Sequence, residues 1–147
     1  MKKKLTVLFA ALMLLSGVTF ATNGITPSEE LQKEFNRAFT QSTEVKWEKV
    51  DDYYKASFLQ DGQYLFVYFD AFNNIESVSR NISINMLPLI LQKTLKDKAS
   101  ETTWITDCIE LFGENGTEYY VAIENADQKT IYQANGNSWD VYKRTDK

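Results

Sequence analysis

The stretch that decides the fold is YYKASFLQDGQYLFVYF, from Tyr53 to Phe69. At its centre lies Asp61-Gly62, a dipeptide that favours a two-residue hairpin turn because both central positions of that turn need positive φ. Apolar and polar residues alternate on either side, as in strands with one buried face. The predicted inner pairs are Phe58 with Leu65, Ala56 with Val67, and Tyr54 with Phe69. The stretch therefore predicts a β-hairpin.

The residues before this hairpin predict a further strand. Glu44 to Val50 alternates in the same way, and Asp51-Asp52 suits a two-residue turn. This turn sets a register in which apolar residues pair with apolar residues on one face and opposite charges pair on the other. That agreement supports the register. Its pairs are Val45 with Phe58, Trp47 with Ala56, and Glu48 with Lys55.

A helix is predicted upstream of these strands. Thr26-Pro27-Ser28-Glu29 is typical of a helix start, with Thr26 as the cap and Pro27 at the first helical position. We expect the helix to end near Thr40. Its apolar stripe comprises Leu31, Phe35, Ala38 and Phe39.

The segment 70–74 predicts a turn that leads into a strand from Ile75 to Ile82. We expect Asn74 to take the positive φ that the turn requires. Asp70, Asn73 and Glu76 also carry oxygen ligands, but their spacing does not match a calcium-binding loop, so no metal site is predicted.

The second half of the chain follows the same plan. Pro88 lies near the start of a second helix with a leucine stripe, and Asn115-Gly116 and Asn135-Gly136 mark tight turns between strands. The stripe is Leu87, Leu91 and Leu95, and the predicted strands cover 105–112, 119–124, 129–134 and 138–143. Ile109, Leu111, Tyr120 and Ala122 form a candidate inner set, although this choice also turns Glu124 inward.

These matching elements predict an internal duplication. Tyr53-Tyr54-Lys55-Ala56 recurs 66 positions later as Tyr119-Tyr120-Val121-Ala122. The alternative is that two similar halves arose by chance. We predict an α+β fold in which two repeats, about 26–83 and 84–147, form one roughly eight-stranded antiparallel sheet with both helices on one face.

Tyr64, Phe66 and Tyr68 are the candidate partner-binding residues. The hairpin register turns them away from the helices, and a row of aromatic side chains on an outer sheet face often marks an interaction site. The alternative is internal cover by a loop, a terminus or the other half of the fold. Both interpretations remain open at the level of sequence.

Residues 1–21 predict a cleaved export signal. Three lysines precede an apolar run from Leu5 to Val18, and Thr19-Phe20-Ala21 supplies small residues at a cleavage site. An uncleaved anchor helix is the alternative, but the run is shorter than the roughly 20 residues that a spanning helix needs. We expect a periplasmic or secreted protein, residues 22–147, that forms one domain and has no stable membrane insertion.

The composition excludes several kinds of site. The chain has no histidine, so it lacks the commonest general base and the commonest transition-metal ligand. Its net charge is −4, and it becomes more negative once the signal is removed, which disfavours nucleic acid as a partner. Cys108 has no second cysteine to pair with, so we expect a buried thiol, with an intermolecular disulfide as the alternative. We predict no catalytic residue and no cofactor.

Three runs resemble the PepSY-like proteins of Bacteroidota periplasms, which are also called beta-lactamase-inhibitor-like. They are Val45 to Lys49, Tyr54 to Phe58 and Val67 to Asp70. Leu87-Pro88 and Tyr119-Tyr120-Val121 are also similar to that family. The resemblance covers nearly all of the chain after the signal. It implies tandem repeats of one helix and four strands that form a concave antiparallel sheet, and it supplies no catalytic residues.

The leading functional hypothesis is a non-catalytic binding module that modulates or inhibits an envelope enzyme through the open sheet face. Its partner would be another envelope protein. The alternative is a carrier of a small molecule or lipid in an aromatic-lined pocket. A hydrolase that uses two carboxylates is a more distant third, because no pair stands out among the acidic residues.

Overall fold

The structure is a computed structural model that describes residues 24–147, so the predicted export signal lies outside the described residues. Within this range there are two α-helices, a short 3₁₀ helix and eight strands in one antiparallel sheet whose order follows the sequence. The helices are α1 (Glu29–Ala38) and α2 (Leu89–Leu95), and the 3₁₀ helix is Ile84–Met86. The strands are β1 (Thr43–Val50), β2 (Tyr53–Gln60), β3 (Gln63–Phe69), β4 (Ile75–Asn81), β5 (Trp104–Gly113), β6 (Gly116–Glu124), β7 (Gln128–Asn135) and β8 (Ser138–Asp146). The predicted α+β class with one eight-stranded sheet is confirmed.

The described residues divide into two compact units, 24–78 and 79–147, and the division falls inside β4. The first unit holds α1 and β1 to β3. The second unit holds α2 and β5 to β8. The predicted duplication, with repeats at about 26–83 and 84–147, stays a prediction.

Helix α1 begins later than the sequence predicts. Ser28 is its cap, because the Ser28 hydroxyl accepts a hydrogen bond from the backbone N–H of Leu31 at 3.2 Å. Thr26 and Pro27 therefore precede the helix, and the side chain of Gln32 donates to the Pro27 carbonyl at 3.0 Å. The prediction of Thr26 as cap was wrong, because the helix begins at Glu29 and the hydroxyl that accepts from its first turn is that of Ser28.

The predicted register of β2 with β3 is confirmed for every pair. Asp61 and Gly62 have φ values of 52° and 75°, as the predicted turn requires. Between β1 and β2, the pairs of Trp47 with Ala56 and Glu48 with Lys55 are also confirmed.

The start of β1 departs from the predicted register. Thr43 pairs with Leu59 whereas Lys46 pairs with Ser57, so β1 carries one extra residue at a β-bulge. Glu44 takes a φ of 53° at this bulge, and Val45 is 37% exposed. The predicted pair of Val45 with Phe58 was therefore wrong.

The turn between β3 and β4 is closed by the Asp70 carboxylate. Its Oδ1 accepts hydrogen bonds from the backbone N–H groups of Phe72 and Asn74, both at 2.8 Å. Asn73 then takes the positive φ of 64°. We predicted the positive φ at Asn74, which was wrong by one residue. The Asp70 carboxylate accepts from the backbone N–H of Asn74, and the residue before it takes the positive φ.

The core of the first unit is aromatic and lies between α1 and the sheet. The Phe35 ring contacts those of Trp47 and Phe58, with centroid distances of 5.3 and 5.0 Å and nearly perpendicular planes. The other buried members are Leu31, Ala56, Val67 and Phe69, with Phe39, Tyr54, Leu65 and Val78 at the margin.

The core of the second unit lies between α2 and its own strands. Pro88 precedes α2, as predicted, and Leu91 and Leu95 of the helix are buried. Trp139 is 2% exposed and donates from its indole nitrogen to the Leu91 carbonyl at 3.0 Å. The buried sheet residues in this cluster are Cys108, Val121, Ile123 and Trp139.

This cluster corrects the candidate inner set for the second half. Cys108, Val121 and Ile123 pack with α2, so their sequence neighbours, including Tyr120 and Ala122, point to the opposite face. The Tyr-Tyr-x-Ala match therefore fails as a structural equivalence. Tyr54 and Ala56 pack with the core of the first unit, whereas Tyr120 and Ala122 face away from α2.

Candidate functional site

We call the sheet surface opposite α1 the far face of the first unit. It is formed by the side chains that alternate with the core residues of β1 to β4. Its members used below are Glu48, Lys55, Tyr64, Phe66, Tyr68 and Ser77. Ser77 belongs here because the adjacent Val78 packs with the core cluster.

The three predicted partner-binding residues all lie on this far face, but their exposure falls steeply along β3. Tyr64 is 54% exposed, and its hydroxyl donates to the Glu44 carboxylate at 2.5 Å. This hydrogen bond raises the pKa of Tyr64. Phe66 is half-buried, and Tyr68 is fully buried at 0% exposure. The row therefore runs from an open end to a closed end.

A buried ion pair lies beside the closed end. The Lys55 ammonium contacts the Glu48 carboxylate at 3.2 Å, and the exposed fractions of the two side chains are 3% and 19%. The same ammonium lies 4.9 Å from the centroid of the Phe66 ring. Burial lowers the pKa of Lys55, and the attraction of Glu48 opposes that effect. The sequence predicted the charge pair but not its burial.

Three buried hydroxyl groups on this side of β3 and β4 have no hydrogen-bond partner within residues 24–147. They are those of Tyr68, Ser77 and Ser79, whose residues are 0%, 2% and 2% exposed. Tyr68 lies directly opposite Lys55 in the register of β2 with β3. Burial raises the pKa of Tyr68 well above its usual range, with a smaller effect from Glu48. Buried polar groups are rarely left unpaired, so these three hydroxyl groups are unusual.

On the corresponding surface of the second unit, the buried tyrosine is hydrogen-bonded. Tyr120 is 2% exposed, donates to the Glu118 carboxylate at 2.5 Å and accepts from the Gln133 amide at 2.9 Å. The Gln133 amide also reaches Glu118, at 3.1 Å. Around Tyr120 this surface is apolar and buried. The apolar residues are Ile109, Leu111, Ala122 and Ile131.

A charged cluster stands at the other end of β6. Glu124 contacts Lys147 at 2.7 Å and Lys129 at 3.2 Å, and Lys129 also reaches Asp107 at 3.3 Å. The hydrogen bond from Lys147 is the main cause of the lowered pKa of Glu124. The charges neutralise one another, and the ion pairs link side chains of β5, β6 and β7. We therefore interpret the cluster as one that stabilises the sheet.

Cys108 is buried as predicted, at 6% exposure, within the core of the second unit. Burial raises its pKa to about 12, with a smaller effect from Glu110, so the thiol stays protonated at neutral pH. Such a thiol is a poor nucleophile. Within residues 24–147, no group of three or more acidic or cysteine side chains could hold a metal ion.

The fold is that of several solved Bacteroides proteins. A BLIP-like protein from Bacteroides fragilis superposes with a TM-score of 0.68 at 24% identity, covering 84% of this chain and 89% of that one. A DUF2874 family protein from Bacteroides ovatus gives 0.72 at 16% identity, with coverages of 84% and 89%. A candidate periplasmic protein from Bacteroides eggerthii gives 0.71 at 12% identity, with coverages of 84% and 90%.

The chain has the BLIP-like fold. The predicted resemblance to the beta-lactamase-inhibitor-like proteins of Bacteroidota is thereby confirmed. Comparisons with protein-family models and with curated protein sequences give no match. No helix in residues 24–147 is long and apolar enough to cross a membrane.

Proposed function

We propose that the protein is a non-catalytic periplasmic binding module that holds another envelope protein on the far face of its first unit. The observation that carries this proposal is the graded row of Tyr64, Phe66 and Tyr68 beside the Lys55 ion pair. An exposed aromatic end next to a buried polar end resembles the anatomy of protein interfaces, in which aromatic anchors lie beside desolvated polar groups.

Localisation to the periplasm is supported by two observations. The N-terminal sequence has the order of an export signal, and one protein with the same fold is described as a periplasmic candidate. The absence of histidine and the inert thiol support a role without catalysis. A BLIP-like fold fits a modulator or inhibitor of an envelope enzyme, and that role is part of the proposal.

The test is capture of a partner from an envelope extract by the tagged, exported protein. Substituting Tyr64→Ser and Phe66→Ser together should abolish capture, because these side chains form the accessible end of the row. The matched control is Phe72→Ser. Phe72 is an 83% exposed aromatic residue of the same unit, but it lies in the turn before β4.

The control should capture the partner as well as the wild-type protein does. Circular dichroism melting of all three proteins checks that each is folded. Undiminished capture by the folded double variant would show that the partner binds elsewhere.

A further inference from the structure

We propose that the outer side of α2, together with the 3₁₀ helix before it, binds reversibly to the surface of an anionic phospholipid bilayer. Four apolar side chains enter the bilayer interface, and lysines contact the phosphate groups of the lipids. We call the four apolar residues the apolar ridge, and they are Ile84, Met86, Leu89 and Ile90. The ridge belongs to the second unit, so this inference goes beyond the protein binding proposed for the first.

The apolar ridge is exposed along its whole length. Leu89 is 82% exposed, and the values for Met86, Ile90 and Ile84 are 49%, 43% and 37%. All four fall within residues 84–90, so they form one patch and are not scattered over the surface. A contiguous apolar patch on a protein surface commonly marks contact with another protein or with a membrane.

The ridge is not needed for the core beneath it. Leu87, Leu91 and Leu95 supply the contacts of this segment with the core of the second unit. The Gln92 side chain donates to the carbonyl oxygens of Asn85 and Leu87, at 3.2 and 2.7 Å, and so ties the 3₁₀ helix to α2. The segment is therefore fixed from its inner side, and the ridge is left facing outward.

Two exposed lysines continue the outer side of α2. With about 3.6 residues per turn, Leu89, Lys93 and Lys96 lie in one line along the helix. Lys96 directly follows α2 in a helical backbone conformation. Both lysines are exposed, whereas Leu91 and Leu95 face the core. The outer side of α2 therefore changes from apolar at its N-terminal end to basic at its C-terminal end.

The charge of this segment is opposite to that of the whole chain. Residues 84–98 contain three lysines and one acidic residue, Asp97, whereas the chain has a net charge of −4. The third lysine, Lys98, lies 5.7 Å from the centroid of the Tyr132 ring. An anionic bilayer attracts a basic segment and repels the rest of an acidic protein. The charges therefore favour the orientation in which α2 faces the lipid.

This arrangement fits a bilayer better than a second copy of the chain. A symmetric contact between two ridges would bring the same basic segments together, which opposes association. Four partly exposed side chains are also few beside the roughly 20–30 residues that each partner of a stable interface contributes. At a bilayer, apolar side chains enter the boundary between head groups and acyl chains, and lysines stay at the level of the phosphates.

The test is co-sedimentation of the purified exported protein with lipid vesicles. Vesicles of phosphatidylcholine alone are compared with vesicles of phosphatidylcholine and phosphatidylglycerol in equal parts. Loss of residues 1–21 is checked by mass spectrometry, since that segment is itself apolar. We expect binding to the anionic vesicles at millimolar lipid and low salt, about tenfold or more stronger than to the neutral ones. Equal binding to both, or binding to neither, would overturn the proposal.

Two double variants test the two ends of the surface. Leu89→Ser with Ile90→Ser should weaken binding to anionic vesicles about tenfold or more, because less apolar surface is buried. Lys93→Gln with Lys96→Gln should weaken it by a similar factor, since each lysine near an anionic surface contributes about fivefold. Undiminished binding by either variant would contradict the proposed contact.

Matched controls remove the same chemistry from other places. Phe72→Ser replaces an 83% exposed apolar residue of the first unit. Lys143→Gln replaces an exposed lysine of β8 that pairs with Ile131, on the sheet surface opposite α2. Both controls should bind anionic vesicles as the wild-type protein does. An equal loss in the controls would mean that binding depends on overall composition, and the proposal would be wrong.

An environment-sensitive fluorophore reports whether the ridge enters the interface. The label is attached to Leu89→Cys or, as the control, to Phe72→Cys. Cys108 does not compete, because it is buried and burial raises its pKa to about 12. Anionic vesicles should shift the emission of the label at position 89 to shorter wavelength and leave that at position 72 unchanged. Any other pattern would overturn the proposal.

Capture of the envelope partner separates this inference from the proposed function. Leu89→Ser with Ile90→Ser should capture that partner as well as the wild-type protein does, and circular dichroism melting checks that the variant is folded. If the variant loses capture and the wild-type protein does not bind vesicles, the ridge is a protein interface and the lipid proposal is wrong. If the wild-type protein captures nothing but binds anionic vesicles through the ridge, the lipid proposal stands and the protein-binding function is wrong.

Discussion

Tyr68 and Tyr120 are two buried tyrosines, each on the sheet surface opposite the helix of its own unit, and they differ in how their hydroxyl groups are satisfied. Tyr120 bonds to Glu118 and Gln133, which reach it from its own and the neighbouring strand. Tyr68 has no partner for its hydroxyl. The Tyr120 hydroxyl is therefore paired within its own unit, and the Tyr68 hydroxyl is not.

This difference teaches which buried hydroxyl groups stabilise the fold. A polar network that is fully paired within the protein rigidifies it. A buried donor without a partner destabilises the folded protein by its desolvation cost. The comparison therefore predicts that the Tyr120 hydroxyl contributes to stability and that the Tyr68 hydroxyl does not.

The largest expected effect comes from the ion pair of the first unit. Glu48→Gln leaves the Lys55 ammonium without its countercharge, so we expect a loss of about 3 kcal/mol in the free energy of unfolding. Urea denaturation of the two proteins measures it. Glu124→Gln in the second unit is the matched comparison and should cost about 1 kcal/mol or less, because its lysine partners are 22% and 40% exposed.

The double variant Glu48→Gln with Lys55→Met should recover most of the stability, since no unpaired charge is left buried. If Glu48→Gln costs no more than Glu124→Gln, the Lys55 ion pair is not buried as described, and the contrast between the units weakens.

The next effect is on the two tyrosines themselves. Tyr120→Phe removes a hydrogen bond to a carboxylate, and we expect a loss of about 1.5–3 kcal/mol in the free energy of unfolding. Tyr68→Phe removes a hydroxyl group that has no partner, so stability should stay unchanged or rise. Thermal and urea unfolding of both variants measure the difference. Equal losses in the two variants would contradict the comparison.

The fold was predictable from the sequence where local turn chemistry and alternation agree. Asp61-Gly62 fixes the register of β2 with β3, because the turn length and the apolar pairs allow one solution. The bulge at Glu44 was not predictable, since an extra residue with positive φ leaves no mark in an alternating run. The faces of the second unit were misjudged for a related reason, because both of its sheet surfaces carry apolar residues.

The candidate site was predictable only in part. The alternation of apolar and polar residues predicted the face on which Tyr64, Phe66 and Tyr68 lie. It could not predict how far each side chain is exposed, because exposure depends on the residues that surround it in the folded sheet. No sequence pattern could reveal that the hydroxyl of Tyr68 lacks a partner while that of Tyr120 has two, because this depends on side-chain positions across strands.

The alkaline pH dependence of stability sharpens the comparison further. Burial raises the pKa of both Tyr68 and Tyr120 above the ordinary value of 10.0, so each keeps its proton in the folded state at pH values where the unfolded state loses it. Their contribution to stability is fully present below pH 10.0 and is lost as the pH rises further. At pH 10.5 we expect a loss of about 1 kcal/mol for each tyrosine.

Urea unfolding at several pH values from neutral to alkaline measures this loss, and Tyr68→Phe and Tyr120→Phe should each remove a similar share of it. The shared response would show that both side chains are buried and that only their hydrogen bonding differs. A flat profile in the wild-type protein would mean that one or both rings reach solvent.

The smallest effect is expected at the open end of the row. Tyr64→Phe removes a hydroxyl group that bonds to Glu44 at the surface, where water replaces the lost partner. We therefore expect no measurable change in the melting temperature. If Tyr64→Phe instead destabilises the protein as much as Tyr120→Phe does, the row has no open end. A partner would then have to reach the far face from another side.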